Sequence, residues 1–246
     1  MSGLKLATLY GIVTHRLGFC GPQEKTAKKI LLDYISGKDI PKGEIRKLLK
    51  NFKGAFPYYK LIARANKIKD PFEKRVVKAY WIGNQLLEKV KTPGLKKMIV
   101  HDFSTEGLLE EKEAKLRAKT VPPGSKPHHS FHVLVIGSVS GRIVLTKKLV
   151  DLCRIGWGKV RKIDKAQNEI KVEYQPLTFN KKPHLGNLKK KYLIWDKNIL
   201  PKIKLGNQVS FHWNYAIQVL NKKEAKNLKK YTQKTINSFR NPKNLQ

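Results

Sequence analysis

Residues that bind soft metals gather in the second half of the sequence. Three histidines lie in PHHSFHV (128, 129 and 132), Cys153 lies in LCRIGWGKV, and His212 lies in VSFHWNYAI. A thiolate combined with imidazoles suits iron, copper or zinc, whereas magnesium prefers oxygen ligands. The pattern therefore predicts a transition-metal site. The alternative is that the histidines are ordinary strand residues and that Cys153 is a small core residue.

The predicted ligands depend on how these segments fold. We predict that PHHSFHV is a strand, which places His128 and His132 on one face and His129 on the other because side chains alternate. If Cys153 and His212 start and end adjoining strands, they face each other. The predicted ligands are Cys153, His212, His128 and His132, and the secondary candidates are Cys20, His129, Trp157 and Trp213.

The chain beside the candidate thiolate contains two glycines. Gly156 and Gly158 permit backbone angles closed to other residues, so the chain next to Cys153 turns tightly or is closely approached by another segment. The other cysteine, Cys20 in LGFCGP, lies in a turn; it either supplies a second thiolate or is a buried structural cysteine. Two cysteines so far apart are not a disulfide scaffold, which favours a reducing cytoplasm.

Signatures of other chemistry are absent from the sequence. It contains no GxxxxGK[ST] phosphate loop, no GxSxG elbow and no HExxH motif. It also contains no CxxC pair, which argues against a structural zinc site. A metal-dependent enzyme centred on His128, His129 and His132 is a third possibility, but this half of the chain is poor in carboxylates that would act as a general base.

The elements that position these residues change type along the chain. Helical spacing of apolar residues predicts helices in the first half, one of them stopped by Gly37 and another with Pro57 in its first turn. In KDPFEKRVVKAYWIGNQLLEKV, Asp70 is a predicted cap and Glu73 completes a capping box. The prolines of TVPPGSKP then end the helical pattern.

Beyond these prolines the hydrophobic period changes from 3.6 to 2. Short segments rich in Val, Ile, Phe, Tyr and Trp predict strands, and Asn221 with Glu224 predicts a capped final helix. The predicted strands are HHSFHVLVIG, RIVLTKKLVDLCRI, GKVRKID, EIKVEYQPL, KKKYLIWD and QVSFHWNYAIQVL. We therefore predict an α+β protein, with an all-α helical domain at residues 1–121 and a small OB-like β-barrel with a C-terminal helix at residues 127–246.

The charge of the sequence suggests a different partner. Lys and Arg number 52 against 18 Asp and Glu, a formal net charge of +34, and a surface of this kind attracts polyanions. An alternative function is therefore a basic OB-like nucleic-acid-binding protein, which would stack bases on Trp157, Phe211, Trp213 and Tyr215. The excess of positively charged residues is almost all lysine and is spread along the chain, so a solvated basic surface explains the charge equally well. We expect neither a signal peptide nor a membrane span.

Two motifs, in a fixed order around the β-rich segment, resemble a known family. The first is C-x-x-[IVL]-P-G-K-V, and the second is G-D-x-V-x-V-H-x-G-F-A-I followed by a helix containing Glu-Ala. The positions that match are Cys153, Gly158, Lys159, Val160, Gly206, Val209, His212, Ala216, Ile217, Glu224 and Ala225. The segment from Cys153 to about Thr232 thus resembles the HypC-type [NiFe]-hydrogenase maturation chaperones. The stretches LGFCGP, GAFPYYKLIA, VVKAYWIGN and PHHSFHV resemble, more loosely, an uncharacterised bacterial family associated with [NiFe]-hydrogenase genes.

The resemblance implies a function. It implies an OB-like barrel that is not itself an enzyme, with Cys153 as an iron ligand and His212 as its neighbour. The cargo implied is an Fe(CN)2CO unit, held transiently in the cytoplasm. The partners implied are a HypD-like maturation protein and the precursor of a hydrogenase large subunit. A thiolate is a soft donor for low-spin iron, and a nearby imidazole can tune it.

Overall fold

Helices make up the first 120 residues of the protein. The computed structural model describes residues 1–239. Its first helices are α1 (Gly3–Arg16), α2 (Ala27–Ser36), α3 (Lys42–Lys50), α4 (Phe56–Ala65), α5 (Lys74–Trp81), α6 (Thr92–Thr105) and α7 (Glu111–Thr120), with a 3₁₀ turn at Gln85–Lys89. The predicted helix stop at Gly37, which is left-handed, and the predicted Pro57 in the first turn of α4 are confirmed.

Helix α1 is the structural centre of the helical half. Every residue from Leu6 to Thr14 is buried, and α1 packs against α2, α3 and α5. A helix that is apolar on all sides belongs in a protein interior. It has no polar face, so it gives only a weak amphipathic signal in the sequence.

The start of α5 differs from the prediction. Glu73 is its N-cap, and Asp70 does not cap the helix. The Asp70 carboxylate accepts hydrogen bonds from the Phe72 backbone N–H (2.9 Å) and from the Arg46 guanidinium (2.6 Å), which hold it in the preceding turn. The predicted capping box at Asp70 and Glu73 is therefore wrong, because an ion pair with a distant residue takes the carboxylate.

The second half contains a small barrel and three further helices. The elements are α8 (His129–Phe131), a π turn (His132–Ile136), α9 (Lys147–Cys153), β1 (Gly156–Asp164), β2 (Glu169–Tyr174), β3 (Leu177–Asn180), β4 (Lys182–Leu185), β5 (Lys189–Ile194), β6 (Gln208–His212), β7 (Tyr215–Leu220) and α10 (Lys222–Ser238). The predicted capping box of Asn221 and Glu224 at α10 is confirmed.

Five strands form the barrel in the order β1-β2-β5-β7-β6, and β3 and β4 form a separate hairpin. Antiparallel pairs join β1 to β2 and β6, β2 to β5, and β6 to β7. The ring closes through a single parallel pair, Ile194 with Tyr215, so this side of the barrel is only loosely joined. A partly open, five-stranded barrel is the OB-like arrangement. The prediction of an α+β fold with this barrel and a C-terminal helix is confirmed.

Two of the predicted strands are helical, and a third is two strands joined by a turn. The segments HHSFHVLVIG and RIVLTKKLVDLCRI contain helices α8 and α9, not strands, and QVSFHWNYAIQVL is a hairpin whose turn residues Trp213 and Asn214 both have positive φ. Residues 127–137 are all buried. A fully buried apolar run has no exposed face to reveal its period, so the pattern does not distinguish strand from helix.

The apolar core crosses the predicted domain boundary. One cluster contains residues of the helical half together with Trp213, Ile217 and Leu220, and a second, smaller cluster fills the barrel. The Tyr10 hydroxyl lies 2.7 Å from the Ser210 hydroxyl, which ties α1 to β6. The division into domains 1–121 and 127–246 stays a prediction, and the two parts share one core.

Candidate metal centre

Three side chains meet where the helical half contacts the barrel. One ligand atom from each of His129, Cys153 and His212 lies within 4.8 Å of the other two. His129 begins α8, Cys153 ends α9 and His212 ends β6, so three separate elements supply the group. Cys153 and His212 are predicted to face each other if they lie on adjoining strands; their ligand atoms are close together, although Cys153 ends a helix and not a strand.

The barrel register sets the distance between Cys153 and His212. Strand β1 begins three residues after Cys153 and pairs with β6, and its first residue, Gly156, is opposite Phe211. A Cβ atom on Gly156 would lie 2.1 Å from the Phe211 ring, so glycine is required for the two strands to approach this closely. The Trp213 backbone N–H also donates to the Leu152 carbonyl (2.8 Å), which fixes the end of α9 against the hairpin.

One ring nitrogen of His212 has no hydrogen-bond partner among the described residues. Its Nδ1–H donates to the Tyr10 carbonyl at 3.3 Å, so Nε2 is the unprotonated nitrogen. This Nε2 atom is buried and has no hydrogen-bond partner among the described residues. Burial lowers the pKa of His212 to about 4, so the ring is neutral at neutral pH. A buried nitrogen without a partner is energetically costly, and a neutral imidazole with one nitrogen anchored is the form that binds metals.

His129 is held at both nitrogens. Its Nε2–H donates to the Cys153 carbonyl (2.9 Å), and its Nδ1 accepts a hydrogen bond from the Tyr80 hydroxyl (3.1 Å). Burial lowers its pKa well below the usual value, and the neighbouring His212 and His132 act in the same direction. Like His212, it is a neutral ring. To bind a metal through Nε2, the ring would first have to release the Cys153 carbonyl.

The Cys153 thiol is protonated in the absence of a metal. Burial raises its pKa far above the usual value of a thiol. A metal ion that reaches the sulfur displaces this proton, which couples binding to proton release. The free Cys153 thiol is therefore neutral, and its sulfur would become an anion only on binding a metal.

Two of the predicted ligands lie elsewhere. His128 is buried against Tyr231, and its Nδ1 accepts the Ser130 backbone N–H (3.2 Å). His132 faces Tyr58, whose hydroxyl lies 3.0 Å from its Nδ1. The structure brings neither into the three-residue group and brings in His129, which the strand prediction had placed on the opposite face from His128 and His132.

A cavity of about 110 Å³ opens beside the group. Its lining includes both cysteines of the chain, Cys20 and Cys153, and the ring of His132. Among the described residues, no carboxylate lines it, and Lys53 and Arg142 do. The cavity is thus a largely apolar, aromatic-walled space whose lining contains two cations and two thiols.

The aromatic residues proposed for base stacking are poorly placed for it. Phe211 is 1% exposed and Trp213 is 8% exposed. Trp157 is half-buried beneath the guanidinium of Arg154, 5.2 Å from its ring centre, and Tyr215 is half-buried beneath Arg16. None of the four offers an open ring face like those on which single-stranded nucleic acids stack.

The contacts that orient the imidazoles have no signal in the sequence. The Tyr10 carbonyl and the Tyr80 hydroxyl come from α1 and α5, more than 40 residues before the residues they bind. Only the fold brings them together. The aromatic cavity wall, including Phe52 and Trp81, is assembled in the same way.

Residues 1–244 match a family of unknown function, DUF6390. The chain belongs to this family. Comparison with curated proteins and with solved structures returned no match. Within residues 1–239, no helix combines the length and the hydropathy needed to cross a membrane.

Proposed function

We propose that the protein is a non-enzymatic carrier that holds a transition-metal ion through Cys153, His129 and His212. The observation that carries the proposal is the buried, unpartnered Nε2 of His212 in a group with a thiol and a second imidazole, all within 4.8 Å. One thiolate and two neutral imidazoles suit iron, copper and zinc and disfavour magnesium.

Holding a metal is better supported than turning over a substrate. Among the described residues that line the cavity, no carboxylate is present to act as a general base. The pKa of His212, lowered to about 4 by burial, also makes it a poor proton acceptor at neutral pH. These features favour a carrier over the metal-dependent enzyme centred on the histidine segment.

For the cargo we propose iron, as an Fe(CN)2CO unit delivered in the cytoplasm to a [NiFe]-hydrogenase large-subunit precursor. The support is the resemblance to HypC-type chaperones, whose two motifs include Cys153 and His212. A HypD-like maturation protein is the proposed donor. The thiolate is the soft ligand that low-spin iron prefers.

Anaerobic purification followed by metal analysis and infrared spectroscopy tests this function. The wild-type protein should carry iron and show CN and CO stretching bands, and Cys153→Ala should lose both. His128→Asn replaces a buried histidine outside the group and should retain both. A Cys153→Ala protein that keeps its iron and its bands would overturn the proposal, and an iron-loaded wild type without bands would overturn the identity of the cargo.

A further inference from the structure

The second cysteine lies in the same cavity as the candidate metal group. After α1 ends, the backbone N–H groups of Phe19 and Cys20 both donate to the Thr14 carbonyl, at 2.9 and 3.4 Å, which folds this segment back over the end of the helix. Cys20 then lines the cavity together with Cys153, His129 and His212. The chain has two cysteines, far apart in sequence, and both reach one small space.

We propose that Cys20 is a fourth ligand, a second thiolate that completes a two-nitrogen, two-sulfur metal site from the side of the cavity. This inference rests on the proposed metal-binding function and applies to a bare divalent ion, because iron that already carries two cyanides and one CO has no room for four protein ligands. As each metal–sulfur bond forms, the thiol proton leaves to solvent, and no electron is transferred. Four ligands of this kind arranged as a tetrahedron are a common site for zinc and related ions.

Charge balance is the first argument for a second thiolate. A divalent ion bound by one thiolate and two neutral imidazoles retains one positive charge in a buried place, and burying an unpaired charge is strongly unfavourable. No carboxylate among the described residues lines the cavity, and of the two cations that do, Lys53 pairs with Glu106 and Arg142 is exposed. Cys20 is therefore the side chain there that can supply the missing negative charge.

Coordination number is the second argument. The group of three leaves a tetrahedral ion one ligand short, and the buried Nε2 of His212 has no hydrogen-bond partner among the described residues. His132 also lines the cavity and is the rival for the fourth position. An imidazole bound to a metal is neutral, so His132 would add a ligand without adding negative charge.

Cys20 must move before its sulfur can join the other three ligands. Its sulfur does not belong to the group whose ligand atoms lie within 4.8 Å of one another. Gly18 and Gly21 flank it, with φ of 77° and 100°.

Cobalt(II) substitution under anaerobic, reducing conditions tests the inference. Sulfur-to-cobalt charge-transfer absorption grows with the number of bound thiolates. We expect Cys20→Ser to bind one equivalent of cobalt with about half the wild-type charge-transfer intensity. Ser138→Ala, a neighbouring substitution in the cavity lining, should keep the full intensity.

The outcomes separate the two proposals. If Cys20→Ser retains the wild-type spectrum while Cys153→Ser loses charge-transfer intensity, the fourth-ligand inference is wrong and the metal site stands. If wild-type protein binds no cobalt, the proposed function itself fails. X-ray absorption on zinc-loaded wild type needs no variant: two sulfur scatterers support the inference, and one sulfur with three lighter ligands overturns it.

Discussion

At the scale of single residues, the two hydrogen bonds of His129 determine which contacts would have to rearrange when a metal binds. Its Nε2–H is bonded to the Cys153 carbonyl, and its Nδ1 accepts from Tyr80. To bind a metal through Nε2, the ring must move its proton to Nδ1, and Tyr80 must then accept instead of donate. A hydroxyl can do either, which makes Tyr80 suited to hold both forms of the ring.

Tyr80→Phe should therefore weaken metal binding. The metal-bound form of His129 would carry a buried Nδ1–H without a partner, and loss of such an orienting group typically costs about 10- to 100-fold in affinity. Competition titration with zinc measures the effect. Tyr59→Phe is the matched control, since Tyr59 is also buried but bonds to the Trp81 indole (2.6 Å) and not to a histidine. Equal losses of zinc affinity in both variants would mean that the effect comes from altered packing.

His128 illustrates how burial of neutral histidines makes stability depend on pH. Burial lowers its pKa to about 3, below the unfolded value of about 6.5. Between these two pKa values the unfolded chain binds a proton that the folded protein does not. The stability that neutral His128 contributes is therefore complete above pH 6.5 and is lost as the pH falls towards 3. One such group gives a slope of about 1.4 kcal/mol per pH unit.

His128→Asn should reduce that slope. Asparagine keeps a side-chain acceptor for the Ser130 N–H but cannot take up the proton. We expect the free energy of unfolding, measured by urea titration from pH 6 to pH 4, to fall less steeply by about 1 kcal/mol per pH unit than in the wild type. His101→Asn, at an exposed histidine, is the surface control. Identical slopes for His128→Asn and wild type would contradict the assignment of this pH dependence to His128.

At the scale of elements, the contact between β1 and β6 holds the two motifs of the site together. An added methyl group at Gly156 would lie 2.1 Å from the Phe211 ring, which is buried. Gly156→Ala should destabilise the protein by about 1–3 kcal/mol, because the ring must shift in a packed core. The shift would also displace the neighbouring His212 and weaken zinc binding.

Gly43→Ala is the matched control for this prediction. Gly43 lies in α3 with nothing within 4 Å of its added Cβ, so alanine should leave stability unchanged or raise it by about 0.4–1 kcal/mol. Thermal unfolding and zinc titration of both variants provide the measurement. A Gly156→Ala protein as stable as Gly43→Ala would show that the strands tolerate a wider spacing.

The elements also show which parts of the fold the sequence can predict. The capping box of α10 and the barrel strands depend on neighbouring residues, so local patterns predict them. Helix α1 and residues 127–137 are buried on all sides, so they lack the alternation from which a period is read. The sequence patterns indicate that Cys153 and His212 could be close but not that Cys153 ends a helix, and the presence of His129 in the group depends on the helical form of its segment.

At the scale of the whole molecule, the site belongs to neither half alone. The Tyr10 carbonyl of α1 orients His212 of β6, and Arg16 pairs with Asp196 at 2.7 Å. Lys78 of α5 pairs with Glu224 of α10, and both side chains are largely buried. One apolar core connects these contacts. Separation of the halves would therefore expose α1, which is apolar on nearly every face.

The intact chain should consequently unfold in one cooperative transition. We expect thermal unfolding followed by circular dichroism and by tryptophan fluorescence to give the same midpoint, because Trp81 in α5 and Trp195 beside β5 report on the two halves. Residues 1–121, expressed alone, should show no cooperative transition. Since zinc bound at the shared site would stabilise both halves together, it should raise the single midpoint without splitting it. Two resolved transitions, or a cooperative transition of fragment 1–121, would show that the halves are independent and that their contact is only a docking interface.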